Sequence, residues 1–163
     1  MGNVLLKQPK LDKGKLYFLP LGGCGHFGAN LNLYHLDGQW LAIDCGMGFA
    51  DERFPGVDIL LPDPSFIEER ADKLAGLIIT HAHEDHIGGV ANLWPRLKCP
   101  VYATPFTMEV LKRKLSEVPH GDDVPLCEVE KQGRVNIGPF EVEWINMAHS
   151  IPDTSSLFLR TKV

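Results

Sequence analysis

The spacing of apolar and polar residues changes character three times along this chain. Residues 15–20 read as a strand, and Asn30-Leu31-Asn32-Leu33-Tyr34-His35-Leu36 then alternates polar with apolar side chains. Asp37-Gly38 interrupts that alternation before Trp40-Leu41-Ala42-Ile43-Asp44 opens a second run. The pattern predicts a β-hairpin, because Asp-Gly accepts the backbone angles of a tight turn between strands. Residues 45–64 are rich in Gly, Pro and Asp, which predicts a long loop over the surface or along a site.

Strand and helix patterns then alternate. A helix is predicted over residues 65–74, a short buried strand over 77–80, a helix over 87–97 frayed by Pro95, and a strand over 100–103. Thr104-Pro105 offers an N-cap with proline at the first helical position, opening a helix to about residue 117. Beyond a Pro/Gly/Asp loop at 119–125, strands are expected at 126–130, 134–137, 139–147 and 155–160. Residues 1–14 show little periodicity and read as a flexible leader, leaving 15–163 as the folded part. Strands, then strand–helix alternation, then strands again predict an α/β fold of the α+β kind. Its mixed sheet carries packed helices and is not doubly wound throughout.

Composition narrows the class. A chain of 163 residues, 44% hydrophobic, can bury one core and predicts one domain. No window has the apolar length of a membrane span, and the N-terminus lacks a signal-peptide layout, so a cytoplasmic location is expected. Cys24, Cys45, Cys99 and Cys127 are widely spaced and read as reduced thiols. The formal charge of −5 argues against a protein that coats nucleic acid, but leaves a metal-dependent nuclease open. The short run Lys112-Arg113-Lys114 reads as the wet face of a helix, with phosphate contact as the sharper alternative.

The candidate chemistry is concentrated in Thr80-His81-Ala82-His83-Glu84-Asp85-His86-Ile87-Gly88-Gly89, directly after the apolar run Gly76-Leu77-Ile78-Ile79. His81 and His83, two apart, can turn to the same side, while Asp85 and His86 round the bend toward a second ion. Helix capping by Asp85 and a loop role for the histidines form the bland alternative, which explains four candidate ligands poorly. Imidazole and carboxylate without thiolate suit zinc, with manganese or magnesium as alternatives. Glu84 reads as a loop-supporting or solvent-facing residue. His149, after another apolar run, would complete a three-nitrogen set with His81 and His83. Asp44 ends a strand and reads either as a turn former or as a carboxylate that orients the metal-binding loop. Gly23-Cys24-Gly25-His26-Phe27-Gly28 formally matches a dinucleotide-binding glycine pattern, but a hairpin strand follows it where that mechanism needs a helix.

His81-x-His83-x-Asp85-His86, with Asp44 upstream and His149 downstream, resembles the metallo-β-lactamase superfamily. The glycine loop 21–30, Pro55-Gly56-Val57-Asp58, Pro62-Asp63 and His149-Ser150-Ile151-Pro152-Asp153 narrow the resemblance to bacterial ribonuclease J, in the β-CASP branch. That resemblance implies the N-terminal half of an αββα sandwich. It also implies two divalent ions: His81, His83 and His149 on the first, Asp85 and His86 on the second, and Asp44 in support. The implied activity is hydrolysis of RNA phosphodiesters by a metal-bound hydroxide, in 5′-to-3′ exonuclease and endonuclease modes. Two departures stand out. His26 replaces the family's usual Glu, and the later aspartate and histidine, with the β-CASP domain, have no counterpart before Val163. The expectation is an N-terminal piece of a larger enzyme with an incomplete second metal site and little activity of its own. A self-associating, non-catalytic remnant is one alternative. Another is a hydrolase of the same superfamily that acts on small thioesters or lactams.

Overall fold

A computed structural model describes residues 10–163. Most of the expected leader therefore lies outside the described residues; from its end, Leu11 packs against the core and Gly14 N donates to Asp37 Oδ1 at 2.8 Å.

The first sheet has six strands. β1 (Tyr17–Gly22), β2 (Leu31–Leu36) and β3 (Gln39–Ile43) form an antiparallel meander. The turn between β2 and β3 holds Asp37 at φ 49° and Gly38 at φ 88°, the left-handed pair that Asp-Gly predicts. A two-stranded ribbon, β4 (Gly48–Phe49) with β5 (Ile59–Leu60), then interrupts the long predicted loop. β6 (Leu74–Ile78), β7 (Val101–Ala103) and β8 (Leu126–Glu128) continue the first sheet in parallel, giving the order β1-β2-β3-β6-β7-β8. The sheet is mixed, as the patterning predicts. A second, antiparallel sheet is built from β9 (Arg134–Ile137), β10 (Phe140–Asn146) and β11 (Ser155–Arg160), in the order β11-β10-β9.

Two apolar clusters join these layers. Leu31, Leu33, Ala42, Leu77, Ile79 and Val101 point from the first sheet to the helices, where Ile87, Leu93, Leu97 and Leu111 meet them. From the opposite face, Leu36, Leu41 and Ile78 pack on Ile137, Phe140, Val142 and Trp144 of the second sheet. The alternation along each strand sends successive side chains to opposite faces, so the central strands serve both clusters. The result is a helix–sheet–sheet sandwich. Among the described residues, no helix is long and apolar enough to cross a membrane.

Three helix predictions need correction. The helix expected over 65–74 is only α1 (Ser65–Glu68) and a 3-10 turn at Ala71–Lys73. Arg70 leaves helical geometry at φ −131°, its guanidinium covers the Phe66 ring, and Leu74 pairs with Trp40 instead of extending the helix. The helix expected over 87–97 is split into α2 (Glu84–Ile87) and α3 (Val90–Leu97). Gly89 N is drawn away to Cys45 O at 2.8 Å, which separates the two. Pro95 lies inside α3 rather than ending it, and His120 Nε2 sits 2.8 Å from Ala91 O, the carbonyl that proline leaves without its usual donor. Finally, α4 (Pro105–Leu115) begins at proline, but Thr104 does not cap it with its side chain. The Thr104 hydroxyl donates to Asp153 O, and the Asp153 carboxylate accepts from Phe106 N at 3.2 Å.

Candidate metal centre

The C-terminal ends of β3 and β6 deliver adjacent loops, and short backbone hydrogen bonds lace them together. Asp44 N donates to Ile78 O, Cys45 N to His86 O, and Met47 N to Glu84 O, all between 2.7 and 2.9 Å. The glycine loop joins through Gly46 N to Asn30 O at 2.9 Å and Asn30 N to Asp85 O at 3.1 Å. Gly46 is a close-approach position: any Cβ there would overlap the Asp85 carbonyl. The glycines at 23, 25 and 28 run straight into β2 with no helix after them, so the geometry for a pyrophosphate is missing there.

His81, His83 and His149 converge on this platform. One ring nitrogen from each lies within 4.8 Å of the others. His149 Nε2 approaches His83 Nδ1 at 3.1 Å, although 66 residues separate them in the chain. The His149 loop is anchored from below: Ser155 N donates to Thr80 O, and Met147 N to Thr154 O. Asp153, its side chain almost buried, also pairs with Lys131.

The donor set suits a cation. His81 is buried, and its Nε2 has no hydrogen-bond partner among the described residues. Burial, with the neighbouring His86, pushes the His81 imidazole down to about 4, so the ring is neutral and able to donate a lone pair near pH 7. Three imidazoles facing one point match the nitrogen ligation of zinc. A cation between the rings would give the buried His81 Nε2 the partner it lacks among the described residues.

Asp85 and His86 stand beside that cluster as a pair. Asp85 Oδ2 lies 3.3 Å from His86 Nε2, while His86 Nδ1 is held by Asp44 Oδ2 at 2.7 Å. Burial opposes a charged His86, but the hydrogen bond and charge of Asp44, with Asp85, outweigh it and raise the ring above its ordinary value. Asp44 is buried, at φ 62°, and also accepts from Thr80 N and the Thr80 hydroxyl. A non-glycine residue in the left-handed region carries strain that these bonds must offset. Glu84 pairs with Lys114, and Lys112 with Glu109, so two of the three charges in the basic run are occupied within the fold.

Three residues absent from the sequence-derived site belong to it. Asn30 donates from Nδ2 to Asp85 O at 2.8 Å and lies 3.4 Å from His86 Nε2. Thr80 sits between Asp44 and His81, and the Ser150 hydroxyl is 3.4 Å from His83 Nε2. All three are polar residues inside the stretches singled out above: Asn30 closes the glycine loop, Thr80 opens the histidine block and Ser150 follows His149. Their spacing alone does not assign them a role. Cys45, buried beside Asp44, has its thiol pushed far up by burial and serves packing.

Comparison with known proteins identifies the family and the fold. Residues 39–162 match the β-lactamase superfamily domain. The chain is 44% identical over 153 residues to ribonuclease J of Sinorhizobium meliloti, covering 91% of this chain and 27% of that protein. It is 41% identical to ribonuclease J of Helicobacter pylori strain 26695, covering 93% and 22%, and 32% identical to ribonuclease J2 of Bacillus subtilis, covering 94% and 28%. The chain thus spans about a quarter of the length of these curated relatives. Among solved structures, the metallo-β-lactamase fold protein YhfI from Bacillus subtilis superimposes with a TM-score of 0.62 at 16% identity, over 89% of this chain and 57% of that one. The Rm3 metallo-β-lactamase gives 0.58 at 18% identity, over 88% and 54%. This chain belongs to the β-lactamase superfamily and is a homologue of ribonuclease J over about a quarter of that protein's length.

Proposed function

We propose that this chain is the metal-binding part of a ribonuclease that hydrolyses RNA phosphodiesters, by exonuclease or endonuclease cleavage. The observation that carries the reading is the approach of His149 to His81 and His83 within a chain so similar to ribonuclease J. Residues 15–163 would then form the N-terminal portion of a larger metallo-β-lactamase-like domain.

In this reading His81, His83 and His149 hold the first divalent ion, with zinc favoured by the all-nitrogen set. Asp85 and His86 offer an oxygen and a nitrogen to a second, weaker site, for which zinc, manganese or magnesium are candidates. A bound divalent ion supplies Lewis-acid polarisation and activation of water. The protein's own part is to orient the ligands. Asp44 holds His86 Nδ1, keeping Nε2 turned toward Asp85, and Asn30 pins the Asp85 carbonyl. The overall charge of −5 gives an RNA backbone no general attraction, so affinity for phosphate must be local to the ions.

The test offers zinc- or manganese-loaded protein three substrates in parallel: 5′-labelled single-stranded RNA, a chromogenic β-lactam and a small thioester. Slow, metal-dependent shortening of the RNA, lost in D85N, is expected. Hydrolysis of lactam or thioester with intact RNA would contradict the reading, as would failure to take up any metal.

A further inference from the structure

Between the two motifs lies a hydroxyl whose single proton decides how His81 meets a cation. Thr80 Oγ1 is 2.9 and 3.1 Å from the two oxygens of Asp44, and 3.0 Å from His81 Nδ1. A hydroxyl donates once and accepts twice, whereas a carboxylate only accepts. We infer that Thr80 is a positioning residue that holds His81 in the Nδ1–H tautomer, leaving the Nε2 lone pair for a cation. The Thr80 proton goes to Asp44, and the free lone pair of Oγ1 accepts from His81 Nδ1–H.

The reverse assignment fails on two counts. Were Thr80 to donate to His81 Nδ1, its oxygen would face both carboxylate oxygens with no proton between them. His81 Nε2 would then carry a proton in a buried position where it has no acceptor. In the assigned arrangement the same atom turns a lone pair toward His83 and His149, where a cation would satisfy it. The buried Asp44 already accepts a hydrogen bond from His86 Nδ1–H directly. Through Thr80 its influence extends to a second ring, so one carboxylate orients two imidazoles. Metal-binding histidines commonly have their second nitrogen fixed in such a way. Here the partner is a hydroxyl relay, and neither local spacing nor helix propensity accounts for it. The purpose of this role rests on the proposed metal site, whereas the tautomer is a property of the metal-free protein.

The test is nitrogen-15 NMR of the labelled, metal-free chain at neutral pH, reading the His81 tautomer from its two nitrogen shifts, together with zinc titrations. His81 is expected to carry its proton on Nδ1 in the wild type and in T80S. In T80V the proton moves wholly or partly to Nε2, and zinc affinity falls about 10- to 100-fold, with T80S restoring it. A purely structural role would leave the tautomer of T80V unchanged. Protonation at Nε2 in the wild type, or a T80V variant with unaltered tautomer and affinity, would overturn the inference. If T80V does not fold, the wild-type spectrum alone decides. Wild-type protein that binds no zinc would remove the metal reading, and the nitrogen shifts would still settle the tautomer.

Discussion

The two loops that meet at the histidine cluster are built in opposite ways. The loop carrying His81 and His83 is sewn to its neighbours by backbone hydrogen bonds from Asp44, Cys45, Met47 and Gly89, and His81 is only 6% exposed. The loop carrying His149 is exposed from Ile145 to Ser150 and is tied down at its far end by Asp153, Thr154 and Ser155. Two of the candidate ligands are therefore set by folding. The third is brought near by a tether, and a cation would have to complete its placement. A site of this kind can keep its fold without metal while depending on the exposed loop for affinity.

The largest expected effect breaks the rigid side. Gly46→Ala pushes a methyl into the Asp85 carbonyl and should cost about 3 kcal/mol, measured by urea unfolding of metal-free protein. Unchanged stability would mean that the two loops are not tightly interlocked. Asp153→Ala, on the tethered side, removes the acceptor for Phe106 N and the partner of Lys131, and should cost about 1 kcal/mol. It should also weaken zinc binding, because it loosens the segment that presents His149.

Acid should act through the buried imidazoles. Burial pushes His81 down to about 4 and lowers His35, whose Nε2 accepts from Gly38 N. Below the ordinary histidine value of 6.5, the unfolded chain takes up protons that these native rings resist. Their contribution to stability is complete above that value and is lost as the pH falls, for His81 toward about 4. His86, raised mainly through Asp44 against the cost of burial, contributes in the other direction and loses its share as the pH rises. His35→Gln should flatten the acid limb of urea midpoints against pH, and an unaltered limb would contradict the assignment. The smallest change in folding stability belongs to His149→Ala, within about 0.5 kcal/mol in metal-free protein.

Much of this contrast could be read from the chain. The Asp37-Gly38 hairpin was legible because its turn is a local matter, and β11 was legible from its bounded apolar run. His81, His83, Asp85 and His86 stood out because they crowd one short stretch. What escaped depends on contacts between distant segments. The break at Arg70 follows from parallel pairing of Leu74 with Trp40, and the division at Gly88-Gly89 from the pull of Cys45 O. Thr104 looks like a cap, yet Asp153, 47 residues after Phe106, takes that task. Thr80 and Asn30 acquire roles only once Asp44 and Asp85 are brought beside them.

X-ray absorption of the zinc-loaded chain, compared with His149→Ala, tests most directly whether the two loops share one cation. The expected spectrum contains three imidazole nitrogens at about 2.0–2.1 Å from one zinc in the wild type, with zinc affinity and that nitrogen count both reduced in the variant. Zinc bound equally well by His149→Ala, with an unchanged nitrogen shell, would contradict the account.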